Sequence, residues 1–169
     1  MRPIRRPGGS FLWSALAPVL MIGYLAAPLP ADAQTVRLQA DDWVAECGTP
    51  EGDCSIIRVF RNTSANAANA SFSLLIDLRN GQVAVVGKPD PTRATIQIDK
   101  YPSMQCVGTP YCIFSSSDAE VISRQLQTGS LILIDVTAGK SVLRSSLSTK
   151  GYRIALAKFQ ANGFRNSSK

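Results

Sequence analysis

The chain contains no histidine. That absence removes both the commonest general base and the commonest metal ligand, so a Ser-His-Asp or Cys-His catalytic site is excluded. Basic runs are missing too. No stretch of four or more Lys or Arg occurs, and no phosphate-, nucleotide- or nucleic-acid-binding motif accompanies the scattered charge, so no nucleic-acid partner is expected. No Cys-x-x-Cys occurs among the four cysteines, which removes a thioredoxin-like redox pair. Long hydrophobic runs are limited to one, Phe11 to Ala27, interrupted by Ser14, Pro18 and Gly23. It is barely long enough to span a bilayer.

That run follows a positively charged start, Met1-Arg2-Pro3-Ile4-Arg5-Arg6, and leads into Ala31-Asp32-Ala33, a small-x-small cleavage signature. Residues 1–33 therefore read as a secretory signal peptide cut before Gln34, with no stable membrane span after cleavage. Arg5-Arg6 suggests twin-arginine export only weakly, because Pro7 follows directly. Residues 34–169 make one domain, long enough for a substantial core. Cleavage removes Arg2, Arg5, Arg6 and Asp32, and the net charge falls from +6 to +4. This mild excess permits an anionic partner without requiring one.

Short strand signals separated by turns dominate the mature chain. Residues 41–47 and 54–62 are β-branched or aromatic and flank the first cysteine loop. In 71–79, Phe72, Leu74, Ile76 and Leu78 alternate onto one face, and Asn80-Gly81 follows as a hairpin turn to 82–87. Residues 88–93 read as a loop and 94–100 as a strand with Ile96 and Ile98 inward. A last hairpin joins 130–136 to 141–147 through Thr137-Ala138-Gly139-Lys140. Two segments read as helix. Ser117-Asp118-Ala119-Glu120 is a capping-box pattern opening a helix that buries Ala119, Ile122 and Leu126 and stops at Gly129. Tyr152, Ala155, Leu156 and Phe159 share one helical face within 150–161, where Gly151 favours a turn at the start. The pattern is that of an antiparallel β-sandwich with two short helices. Asn62, Asn69 and Asn166 open glycosylation sequons, which have meaning only in a eukaryotic secretory pathway.

Both cysteine pairs, Cys47 with Cys54 and Cys106 with Cys112, enclose Gly-Thr-Pro. An exported protein meets an oxidising environment, where an even cysteine count points to disulfides. Four cysteines permit three connectivities. Gly-Thr-Pro turns the chain and sets the two arms side by side, which favours pairing within each loop. Chain entropy alone favours a long-range bridge, at about 4 kcal/mol against about 2.5 for a short loop. Metal binding is not expected, since six and five intervening residues exceed the usual thiolate spacing in zinc sites.

These features together resemble the invasion-associated locus B family of exported bacterial proteins. The resemblance covers roughly Asp42 to Phe159. Its carriers are Asp42-Trp43-Val44-Ala45-Glu46-Cys47 with Cys54, the segment Cys106 to Cys112, the helix with Asp118 and Leu126, the strand 130–136, and the ending "SLSTKGYRIALAKF" with Gly151-Tyr152. Segment 62–100 matches only loosely. The resemblance implies an immunoglobulin-like sandwich, export to the periplasm or beyond, and no known chemistry or cofactor. The family takes its name from members that help a pathogen enter host cells, which makes a virulence-related role an expectation here and no more.

The remaining polar residues carry little catalytic signal. Asp41-Asp42 read as solvated or turn residues rather than a catalytic dyad, because neighbours on a strand point to opposite faces. Asp135 reads as bonding to local backbone at a strand end. Lys140 and Arg144, four apart on the return strand, and Arg153 and Lys158 on the last helix make a candidate anion-binding patch. Trp43 and Tyr111 sit beside the cysteines and are expected to pack on the disulfides, an exposed one being a possible ligand anchor. The expected function is a non-enzymatic exported envelope or binding protein with a protein or envelope partner. The alternative is a histidine-free periplasmic hydrolase, which requires two carboxylates in a cleft.

Overall fold

The computed structural model describes residues 35–48, 54–61 and 70–161, all within one unit, Asp32–Lys169. Residues 1–33, read above as a signal peptide, the three sequon asparagines and most of the first Gly-Thr-Pro lie outside the described residues. Of the described residues, 52% are strand and 22% helix. The chain is mainly β, with two antiparallel sheets and two helices, as its patterning leads one to expect.

The chain enters as a meander of five strands: β1 (Val36–Ala40), β2 (Trp43–Cys47), β3 (Cys54–Arg61), β4 (Ser71–Asp77) and β5 (Val83–Lys88). It then crosses to a second sheet for β6 (Arg93–Ile98) and β7 (Met104–Val107), and returns as the short β8 (Cys112–Ile113) beside β5. Helix α1 (Ser116–Thr128) leads back to β9 (Leu131–Ala138) and β10 (Ser141–Ser148), and α2 (Lys150–Ala161) ends the described chain. The sheets run in the orders β1-β2-β3-β4-β5-β8 and β10-β9-β6-β7.

The period-2 patterns place the core. Phe72, Leu74, Ile76 and Leu78 are all buried, as are Ile96 and Ile98. They meet Ile132, Ile134 and Val136 of β9 and the apolar faces of both helices in one continuous core. Ala119, Ile122 and Leu126 of α1 and Tyr152, Ala155, Leu156 and Phe159 of α2 are buried as the helical spacing requires.

Several local expectations shift. The β4–β5 hairpin exists, but Asn80-Gly81 is not a two-residue turn. Asp77 donates its backbone N–H to Gln82, which leaves 78–81 as a four-residue loop. The Asp77 carboxylate accepts the Arg79 N–H, the Asn80 carboxamide accepts that of Gln82, and Gly81 alone takes a positive φ of 71°. Helix α1 is capped two residues earlier than the Ser117 pattern suggests. Ser115 accepts the Asp118 N–H at 3.2 Å and donates its hydroxyl to the Asp118 carboxylate at 2.8 Å. The last hairpin turns on Gly139-Lys140 alone, so Lys140 sits in the turn rather than on the strand.

Helix α2 begins at Lys150 with Gly151 inside it. A Cβ at position 151 would lie 2.5 Å from both the Ala40 carbonyl oxygen and Trp43 Cδ1. The residue that weakens the helix intrinsically is the one that lets the helix close on β1 and β2. Trp43 is 1% exposed, donates its indole N–H to the Ser148 carbonyl at 2.8 Å, and meets the Tyr152 ring edge-on at 5.4 Å. It therefore packs on α2, while Tyr111 lies exposed.

Candidate functional site

The two cysteine pairs are joined within their own loops, Cys47 with Cys54 and Cys106 with Cys112. The side-by-side argument describes only the first. Cys47 and Cys54 are direct cross-strand partners on β2 and β3, with Cα atoms 4.1 Å apart. Cys106 and Cys112 are not ladder neighbours: β7 pairs with β6 in one sheet and β8 with β5 in the other. With Cα atoms 5.5 Å apart, this second bridge ties the two sheets together.

The four basic residues proposed for anion binding occupy different parts of the fold. Lys140 lies in the β9–β10 turn. Arg144, on the outer face of β10, forms a two-pronged pair with Asp135 at 2.9 Å for both contacts. That pairing replaces the backbone role expected of Asp135, and it raises the Arg144 pKa through the hydrogen bond and the adjacent negative charge. Arg153 donates to the Gly129 carbonyl at 2.6 Å, and Lys158 reaches the Gln39 carbonyl at 3.4 Å. Strand β10 alone separates Lys140 from the start of α2 by about 25 Å, at the usual rise per residue. Asp41 and Asp42 form the β1–β2 turn, Asp41 with a φ of 51°, and Asp42 pairs with Arg58 at 2.7 Å.

Pattern reading missed Arg58. It occupies an inward position of β3, between Ile56 and Phe60, and its Nε is buried without a partner among the described residues. Burial lowers its pKa. A lone basic residue within "CSIIRVFR" gives no signal by itself, because alternation slips at Ile57 and Arg58, both half-buried.

A cleft of about 670 Å3 lies between α1 and the β4–β5 loop. A volume in this range is typical of sites that bury a small ligand. One wall is the loop, with Asp77, Asn80 and Gln82. The other is the outward stripe of α1, with Glu120, Ser123 and Gln127. Ile113 and Phe114, at the β8–α1 junction, supply apolar surface, and Tyr152 of α2 also lines the cleft. Among the described residues, no Lys or Arg lines it.

Most of these polar groups are held by nearby backbone or by a neighbouring charge rather than by each other. Asp77 binds its own turn, Gln127 donates to the Ser123 carbonyl at 3.4 Å, and Glu120 faces Arg124 at 3.5 Å. Tyr152 differs. It is 1% exposed, with its ring set edge-on against Trp43. Burial pushes its pKa up to about 12. Among the described residues, no three of Cys, Asp and Glu gather to hold a metal ion. No helix there is long and apolar enough to cross a membrane.

No protein-family model, no curated protein and no solved structure matches the chain.

Proposed function

We propose that the chain is an exported, non-enzymatic binding protein of the bacterial envelope, of the invasion-associated locus B type, with the α1–loop cleft as its ligand site. One observation carries the binding assignment. The cleft sets polar side chains around an apolar base, and Asp77, Gln127 and Glu120 are fixed by local backbone or by a neighbouring charge rather than joined into an acid–base relay. Two closed disulfides support an oxidising destination, and the charged, apolar N-terminal segment ending at Ala31-Asp32-Ala33 supports export. The Gly151-Tyr152 ending that supports the family assignment has a packing reason, the closure of α2 on Trp43. Expression of the full chain in a bacterium with intact secretion tests the destination. Exported protein beginning at Gln34 is expected, and cytoplasmic protein retaining Met1 overturns it.

The hydrolase alternative has one supporting observation: the cleft carries two carboxylates, Asp77 and Glu120. Such pairs work when their environments differ enough to keep one group protonated. The Glu120 side chain is 79% exposed and paired with Arg124, while Asp77 Oδ1 serves its own turn. Hydrolysis of glycoside or ester substrates that disappears in Glu120→Gln establishes the alternative instead.

A further inference from the structure

We propose that the open edge of β10 is an association surface for a second copy of this chain, each copy adding its β10 to the other's sheet. The register shows which backbone groups face that edge. The Thr149 N–H bonds to the Ser130 carbonyl, while Asp99 and Thr92 donate to the carbonyls of Leu131 and Thr137 on the other side of β9. Hydrogen-bonding direction alternates along a strand. Leu143, Ser145 and Leu147 therefore bond to β9, and Val142, Arg144 and Ser146 direct their N–H and C=O groups away from it. Among the described residues, no strand lies on that side and none of these outward groups has a backbone partner. The Ser148 carbonyl, next along the edge, accepts the Trp43 indole N–H, which closes the edge at that end.

Native proteins blunt such edges with proline, a bulge, an inward charge, short length or a covering element. The other sheet ends follow that rule. Strands β7 and β8 are four and two residues long, and β1 lies against α2, whose Lys158 reaches the Gln39 carbonyl. Strand β10 has eight residues in unbroken one-to-one register with β9, no proline and no inward charge. Its single charge, Arg144, is already bound to Asp135 on the outer face, so the edge does not select an acidic peptide. The sequence instead selects itself. Leu143 to Leu147 reads Leu-x-Ser-x-Leu in either direction. Two antiparallel β10 strands related by a two-fold axis at Ser145 set Leu143 against Leu147 and Ser145 against Ser145 on the core side, in the closer, non-hydrogen-bonded positions. Arg144 then exchanges both backbone hydrogen bonds with Ser146 of the second copy, and Ser146 with its Arg144. An axis at Arg144 would set the two guanidinium groups opposite each other, which disfavours that register. The contact is self-complementary and closes at two copies.

The test uses the oxidised protein beginning at Gln34. A single strand-to-strand contact falls at the weak end of interfaces, so sedimentation velocity across micromolar to millimolar concentrations is the readout. A monomer–dimer equilibrium is expected, with amide exchange slowed at Arg144 and Ser146 in the dimer. Ser146→Pro removes an edge N–H and no bond to β9. It should give a monomer with an unchanged near-ultraviolet circular dichroism spectrum. Ser146→Glu places a carboxylate opposite Arg144 of the second copy and should tighten the dimer severalfold, whereas Ser146→Lys should weaken it severalfold. Ser146 is exposed, so neither charge puts folding at risk. A monomer at every concentration overturns the proposal and leaves the edge to a strand of another protein. A dimer that a folded Ser146→Pro leaves intact overturns it too, as do equal dissociation constants for the glutamate and lysine variants.

Discussion

Gly151 shows how one missing side chain sets a helix position. Its hydrogen occupies space that a methyl group cannot enter without displacing the Ala40 backbone or the Trp43 ring. Gly151→Ala raises intrinsic helix propensity by about 1 kcal/mol, yet net destabilisation of about 1–3 kcal/mol is expected because overpacking wins. Urea unfolding of the two proteins reads the sign directly, and a stabilised variant contradicts the packing account. Tyr152 makes a second prediction. Its folded pKa lies above its unfolded value, so its contribution is fully present below about pH 10 and is lost as pH rises through about 12. The full loss is about 3 kcal/mol at the upper end. Tyr152→Phe should flatten the alkaline limb of the stability curve, read by urea unfolding across pH.

At the scale of elements, the joint between the helices depends on one carbonyl. Gly129 closes α1, and its oxygen accepts both the Thr149 hydroxyl at 2.5 Å and the Arg153 guanidinium at 2.6 Å. Arg153 thus sits as a cation at a helix C-terminus, where the dipole favours it. Thr149 is fully buried. Thr149→Val keeps its shape but removes a donor, and a loss of about 1–2 kcal/mol in urea unfolding is expected. At the other end of α1, Ser115→Ala should cost about 0.5–2 kcal/mol and Ser117→Ala much less, because Ser115 accepts the capping N–H.

The strands with strong alternation and both helices were legible because each carries its own period. Strands β1, β7 and β8 were not. In β1 only Ala40 is buried, so this edge strand has no apolar rhythm, and β7 and β8 are four and two residues long, too short for a pattern. The cleft was illegible for a different reason. Its walls come from a turn, a strand–helix junction, an outward helical stripe and a residue of another helix. Asn80-Gly81, the Ser115 cap and Tyr152 each look purely structural until the fold brings their segments together.

For the whole molecule, the disulfides divide the work. Cys47–Cys54 reinforces a pairing that the β2–β3 ladder already makes, whereas Cys106–Cys112 joins the two sheets. Replacing Cys106 and Cys112 together by Ser should cost about 2–4 kcal/mol. Amide-exchange protection should then fall in β7 and at Phe114, while Cys47–Cys54 stays closed. Non-reduced trypsin digestion offers a direct check, since residues 38–58 and 101–124 each contain one complete pair. Each peptide should appear alone and two hydrogens lighter than its reduced form. A species joining the two peptides contradicts the pairing.

Under tension the same bridges shorten the thread. Pulled from its ends, the oxidised chain carries load through the sulfurs and bypasses the two enclosed loops, whose closing cysteines lie 7 and 6 positions apart. Reduction should release about 35 Å of extra contour length, from the usual extended span per residue. A force-extension trace therefore reports the redox state of a single molecule.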